Sequence, residues 1–245
     1  MAITTRAAAI LCALIAAGTA VAAPAAAAPG DPVIVAHRHG AHPGLTENGM
    51  PALEESARLG FIHVEVDVRT TASGTPVAMH DATLDRTTTG TGTVATVTNR
   101  KLATYALDDG SAVPSIRQVL RYTAGHGVTV FLDVKALTRT GWVRLGSALS
   151  DTHAVVRFTG RPRWTNRAEQ RFPGVTSFPI IAPGQVVPAY ADGVSVNYTR
   201  VTQEHVTEIR SRGLDYYTFT PNDPADQSRL TGMGVTGLIV DNLPS

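Results

Sequence analysis

The chain has 245 residues, 43% of them hydrophobic, with 21 Lys+Arg against 20 Asp+Glu and a single cysteine. The near-neutral balance excludes a protein held to nucleic acid by bulk charge, and one cysteine excludes a disulfide framework. Arg6 is followed by an apolar run from Ala7 to Ala17 and by small residues ending in Ala20-Val21-Ala22. That is the order of a secretory signal peptide, and the run is shorter than the roughly 18 to 20 apolar residues a membrane span requires. Cleavage is expected after Ala22, with Ala28 as the second candidate, so Cys12 and Arg6 leave with the signal and the secreted chain carries equal numbers of cations and acids. Residues 1–28 are thus read as signal peptide and flexible lead-in, and 29–245 as one domain held by its core alone.

From Val33 onward, short β-branched runs alternate with segments of helical spacing. Strands are predicted at Val33 to Ala36, Phe61 to Val68, Val128 to Val134, Ala154 to Phe158, Val175 to Ile181, Gly193 to Asn197, Leu214 to Phe219 and Gly237 to Val240. Helices are predicted at Met50 to Leu59, Ser115 to Tyr122, Gly141 to Leu149, Asn166 to Arg171, Thr202 to Ser211 and Pro224 to Leu230. The Thr- and Gly-rich stretch from Gly90 to Lys101 is expected as a surface loop or hairpin. Strands separated by helices imply right-handed βαβ units, and eight of them favour an α/β fold of the (β/α)₈ TIM-barrel type.

Barrel enzymes place their chemistry at the C-terminal ends of the strands. His37, Glu65 with Asp67, Asp133 with Lys135, Asn197 and Asp241 all fall there. Glu65 and Asp67 alternate with Val64, Val66 and Val68, so both carboxylates share one strand face and the valines the other. His80 closes the short apolar run from Pro76 to Met79, which Ser73-Gly74 sets off as a turn. A carboxylate pair with an imidazole nearby points to a metal site beside an acid or base.

Taken together, His37-Arg38, Glu47-Asn48, Glu65-Val66-Asp67, His80-Asp81 followed by Leu84-Asp85-Arg86-Thr87-Thr88, Asp133-Val134-Lys135 and the closing Gly237 to Pro244 resemble the glycerophosphodiester phosphodiesterase family. The resemblance covers essentially the whole secreted chain. It implies a barrel phosphodiesterase that releases glycerol 3-phosphate and an alcohol from a small-molecule glycerophosphodiester, using one divalent cation. By position it implies Glu65, Asp67 and Asp133 as metal ligands, with Glu47 as a further candidate. It implies His37 and His80 as the acid/base pair, and Arg38 and Lys135 as phosphate contacts. It further implies first attack by the glycerol hydroxyl through a cyclic phosphate. Oxygen-only ligands suit Ca²⁺ or Mg²⁺ over Zn²⁺, and Ca²⁺ is favoured outside the cell.

The chain departs from the family pattern in places. The usual His-Arg-Gly is His37-Arg38-His39-Gly40 here, so His37 and His39 are both candidate imidazoles, with His37 favoured because it sits directly on the strand. The third ligand position holds Asp133 where Glu is common, and Phe219 stands in place of the usual Trp. Asp81 and Arg86 are expected to pair and hold the loop of His80. His42, His63, His126, His153 and His205 are read as surface or structural, and the Arg157 to Arg171 run as a solvated helix face. Competing readings are a phospholipase D-like or sphingomyelinase D-like enzyme acting on intact lipid, and a secreted binding barrel without activity.

Overall fold

The computed structural model describes residues 30–242. The signal segment, with Cys12, Ala22 and Ala28, lies outside the described residues, as does Pro244. The strands are β1 (Val33–Ala36), β2 (His63–Thr70), β3 (Pro76–Ala78), β4 (Thr129–Ala136), β5 (Val156–Gly160), β6 (Thr176–Pro179), β7 (Gly193–Asn197), β8 (Asp215–Phe219) and β9 (Gly237–Val240). All pair in parallel except β3, which folds back antiparallel on β2. Around the sheet the order is β6-β5-β4-β2-β1-β9-β8-β7. A single parallel bridge, Ile180 to Ser195, joins β6 to β7, with Ile181 N donating to Ser195 O at 3.1 Å. The result is the expected barrel of eight parallel strands, nearly closed.

Seven α-helices are described: α1 (Met50–Arg58), α2 (Asn99–Leu102), α3 (Ile116–His126), α4 (Arg139–Thr152), α5 (Pro162–Arg171), α6 (Gln203–Ser211) and α7 (Pro224–Gly232). Their starts follow capping chemistry. Ser115 and Gln118 form a reciprocal capping box on α3, and Thr138 and Thr202 accept from the third backbone amide of α4 and α6. No helix is described between β6 and β7, where Pro183, Gly184 and Pro188 interrupt the chain. The Gly90 to Lys101 excursion is more ordered than a surface loop. Thr98 caps α2, and Val94, Val97 and Leu102 are buried with Val77, Met79 and Leu84 in a small core of their own. The apolar residues spaced through a Thr-rich stretch are what bury it.

Period-2 alternation divides each strand between two cores. Outward-facing Val64, Val66, Val68, Val130, Leu132 and Val134 pack with Ile116, Leu120, Trp142 and Leu145 of the surrounding helices. Inward-facing Val35, Phe131, Phe178, Tyr217 and Ile239 fill the lower barrel, with Phe178 and Tyr217 ring centroids 4.7 Å apart. Arg157 of β5 points in among these rings, donating to Tyr217 Oη at 2.9 Å with its guanidinium 5.4 Å from the Phe131 centroid, so it is strand rather than solvated helix face. Above this plug the inward positions turn polar. The register aligns Asp67 with Asp133 and Asp133 with Thr159, so acids from β2 and β4 lie side by side at the C-terminal rim.

Candidate active site

Glu65, Asp67 and Asp133 each offer a carboxylate oxygen, and these lie within 4.8 Å of one another. All three are buried. Burial, with Asp67 close by, pushes the Glu65 carboxyl up to about 8. Burial also raises Asp133 despite its partner Lys135. Asp67 goes the other way, because Lys135, His80 and Arg38 together outweigh its burial. Two polar contacts fix this acid further: Asn48 Nδ2 donates to Asp67 Oδ2 at 2.9 Å, and Asp67 N donates to Asn48 Oδ1 at 3.0 Å. Glu65 Oε2 accepts from the Arg38 backbone N at 2.8 Å, while Glu65 Oε1 is buried with no hydrogen-bond partner. A buried, partnerless carboxylate oxygen beside two more acids fits a hard cation.

Lys135 Nζ stands 2.6 Å from Asp133 Oδ2 and 3.1 Å from Asp67 Oδ1. These acids hold the ammonium proton more tightly than usual, against the effect of burial. Trp164 Nε1 donates to Lys135 O at 3.1 Å, so the first turn of α5 supports the end of β4. Gly160, at the end of β5, has φ +114°, and a Cβ there would lie 2.6 Å from Asp133 Oδ1. Glycine is required for Asp133 to take its place among the acids.

The two imidazoles expected to act as acid and base meet across the same cavity, which has a volume of roughly 160 Å³ and is lined by His37, Arg38, Glu65, His80, Asp133 and Lys135. His37 Nδ1 donates to Asp241 Oδ1 at 2.6 Å, and its Nε2 lies 3.9 Å from Glu65 Oε2. Burial works against the charged ring, but Asp241 and Glu65 outweigh it and raise the His37 pKa above 6.5. His80 Nδ1 donates to Asp81 Oδ1 at 2.7 Å. In both rings Nδ1 is taken by a carboxylate, which leaves Nε2 for chemistry.

His39 is excluded from the cavity. It is fully buried, its Nδ1 bonds Gly49 O at 3.0 Å, and burial lowers its pKa to about 4. The extra residue of the His-Arg-His-Gly loop is absorbed by left-handed conformations at Arg38 (φ 52°) and His39 (φ 72°).

Glu47 does not join the three acids. Arg38 Nη1 donates to its two oxygens at 3.2 and 3.1 Å, and Arg86 Nη1 and Nη2 reach them at 3.0 and 2.5 Å. Two guanidinium groups already satisfy this carboxylate. Arg86 Nε also donates to Asp81 Oδ2 at 2.5 Å, which is the expected Asp81–Arg86 pair and holds Asp81 down at about 2.

Asn197 is exposed and caps the turn that follows it. His63 lies on the same strand as Glu65, with its ring edge toward Phe131. Asn222, Gly160, Thr159 and Ser195 were not singled out by sequence. Thr159 and Ser195 line the cavity with buried hydroxyls that have no partner. The available signal was their inward register on β5 and β7.

Known proteins similar to this chain belong to one family. Glycerophosphodiester phosphodiesterase 1 of Bos taurus is 39% identical over 110 residues, which is 41% of this chain and 33% of that protein. The chain therefore spans about a third of the length of these mammalian relatives. The Bacillus subtilis glycerophosphodiester phosphodiesterase is 26% identical over 245 residues, covering 84% of this chain and 82% of that one. An Oleispira antarctica phosphodiesterase, solved in complex with the product sn-glycerol-3-phosphate, superposes with a TM-score of 0.78 at 19% identity, over 86% of this chain and 93% of that one. A glycerophosphodiester phosphodiesterase from Agrobacterium tumefaciens gives a TM-score of 0.74 at 22% identity, over 86% and 96%. These two share the barrel fold. The model of the glycerophosphoryl diester phosphodiesterase family matches residues 37–160 and 150–244, so nearly the whole described chain, including every acid and imidazole of the cavity, falls within it, and the chain belongs to that family.

Proposed function

We propose that this protein hydrolyses glycerophosphodiesters to glycerol 3-phosphate and an alcohol by acid/base catalysis with His37 and His80, assisted by a divalent cation, after secretion. The observation that carries the reading is the convergence of two carboxylate-oriented imidazoles, three buried acids and two cations on one cavity. One Nε2 takes the proton of the attacking glycerol hydroxyl and the other gives a proton to the departing alcohol oxygen, leaving a cyclic phosphate; with the two roles exchanged, water then opens the ring to glycerol 3-phosphate. Arg38 and Lys135 offset the charge that builds on the phosphoryl oxygens. Glu65, Asp67 and Asp133 would hold the cation. When bound, it supplies further positive charge to those oxygens. The oxygen-only donor set and the partnerless Glu65 Oε1 support Ca²⁺, with Mg²⁺ the other candidate.

A soluble diester is favoured over intact lipid. The large exposed apolar side chains among the described residues are Ile62, Val143, Val155 and Val186, which are scattered and form no ring at the mouth of the barrel. No described helix is long and apolar enough to cross a membrane.

The test is turnover of glycerophosphocholine with and without EDTA, for wild type and His80→Ala. Wild type should be active and EDTA-sensitive, and His80→Ala should lose at least ~100-fold. Turnover untouched by the chelator would remove the cation from the reading, and inactivity on every glycerophosphodiester would overturn it. Secretion predicts a culture-medium protein whose intact mass corresponds to a start at Ala23 or Pro29. Full-length chain retained in cells would refute it.

A further inference from the structure

Asp241 orients His37 and is itself held at two points. Asn222 Nδ2 donates to Asp241 Oδ2 at 2.8 Å, and Asp241 N donates to Asn222 Oδ1 at 2.9 Å. The other carboxylate oxygen, Oδ1, is the one that accepts from His37 Nδ1. The three residues follow β8, β9 and β1, which are neighbours in the barrel, so each arrives from the C-terminal end of an adjacent strand. Backbone contacts hold the same corner: Ala41 N donates to Asp241 O at 3.0 Å, and Gln227 Nε2 donates to Pro221 O at 2.9 Å beside Asn222. The same two-point amide grip secures Asp67 through Asn48.

This arrangement has a chemical consequence. A carboxylate accepts but cannot donate, so Nδ1 must carry the ring proton, and Nε2 is left to exchange protons with substrate. Asn222 fills the remaining valence of Asp241 with a neutral amide, which fixes the carboxylate plane without cancelling its charge. Asp81 serves His80 under a different constraint, since Arg86 saturates its far oxygen with a cation.

We propose that Asn222 and Asp241 are a positioning pair for His37, setting its tautomer and aiming Nε2 into the cavity. The proposal rests on His37 acting as acid or base. The alternative is that Asn222 only fastens the β8–α7 loop to β9. No proton passes to Asp241 in this scheme; it leaves and returns at Nε2 only.

The experiment compares wild type, Asn222→Ala, Asp241→Asn and the double variant. It measures kcat and KM on glycerophosphocholine, and the ¹⁵N shifts of the His37 ring, located by its loss in His37→Ala. Asp241→Asn should lower kcat by ~100-fold or more with little change in KM, as expected when a ring is left in the wrong tautomer. Asn222→Ala should lower kcat by ~10-fold. The double variant should be no worse than Asp241→Asn, because residues acting through one group are not additive. The His37 ring should show the Nδ1–H pattern in wild type and lose it in Asp241→Asn. Asn222→Ala retains the Asp241 carboxylate and removes only the amide that grips it, so it tests the pair even where Asp241→Asn folds poorly.

Wild-type kcat and tautomer in Asn222→Ala, or losses that multiply in the double variant, would overturn the proposal. No turnover by wild type, with the tautomer change intact, would overturn the phosphodiesterase reading and leave the positioning pair standing.

Discussion

Glu65→Gln replaces a buried carboxylate with a neutral group of the same shape and keeps an oxygen to accept from Arg38 N. The Glu65 carboxyl titrates at about 8 in the folded chain against 4.5 when unperturbed. Between these values the folded state holds a proton that the unfolded state has released, so stability falls as pH rises. From pH 5 to pH 8 this costs on the order of 3 kcal/mol, at about 1.4 kcal/mol per pH unit with partial titration at the ends. Asp133, also raised, pushes in the same direction. So does His37, whose stabilising contribution is lost as pH rises through its elevated pKa. Asp67 is depressed below 3.8 and does not change across this window. Urea unfolding in EDTA should therefore find wild type less stable at pH 8 than at pH 5, with a clearly smaller difference in Glu65→Gln. Added Ca²⁺ should restore stability at pH 8 in wild type more than in the variant, because it binds the ionised acids. Equal pH dependence in the two proteins would refute the assignment of this strain to Glu65.

Gly160→Ala should lower stability by ~1–3 kcal/mol through overpacking against Asp133, with a further cost for alanine at this φ. It should also weaken Ca²⁺ binding by calorimetry, and a variant unchanged in both would refute the steric argument. His37→Ala should lose ~100-fold or more in turnover while remaining folded. His39→Ala should show the opposite split, with ~1–3 kcal/mol less stability and near-normal turnover by the folded fraction. A reversed outcome in these two would return the working imidazole to His39.

Much of the site was legible because strand periodicity is a local property. Alternation of Glu65 and Asp67 with valines put both acids on one face before any partner strand was known. Asp133 and Lys135 were legible as the polar close of the apolar run from Val128, and the family strings around His37 and His80 supplied their counterparts. The eight strands followed from short β-branched runs, and their boundaries moved by only a few residues. Where the reading fell short, the cause was usually a distant neighbour. Gly90 to Lys101 looked like a loop because its composition is rich in turn formers, and only contact with Val77, Met79 and Leu84 shows why Val94, Val97 and Leu102 are buried.

The sequence by itself determined the barrel, through the serial alternation of eight strands with helices, and the face on which the acids lie, through spacing along one strand; the two histidine-bearing loops were legible through the family strings they resemble. Only the tertiary structure decided between His37 and His39, because burial of one ring and exposure of the other to the cavity depend on how the loop turns through Arg38. It also decided the partner of His37, which is Asp241, 204 positions away, and the grip of Asn222 on that partner. Glu47 was diverted to Arg38 and Arg86 for the same reason: the lowest-energy pairing of a charged side chain is set by whichever opposite charges the closed barrel brings within reach.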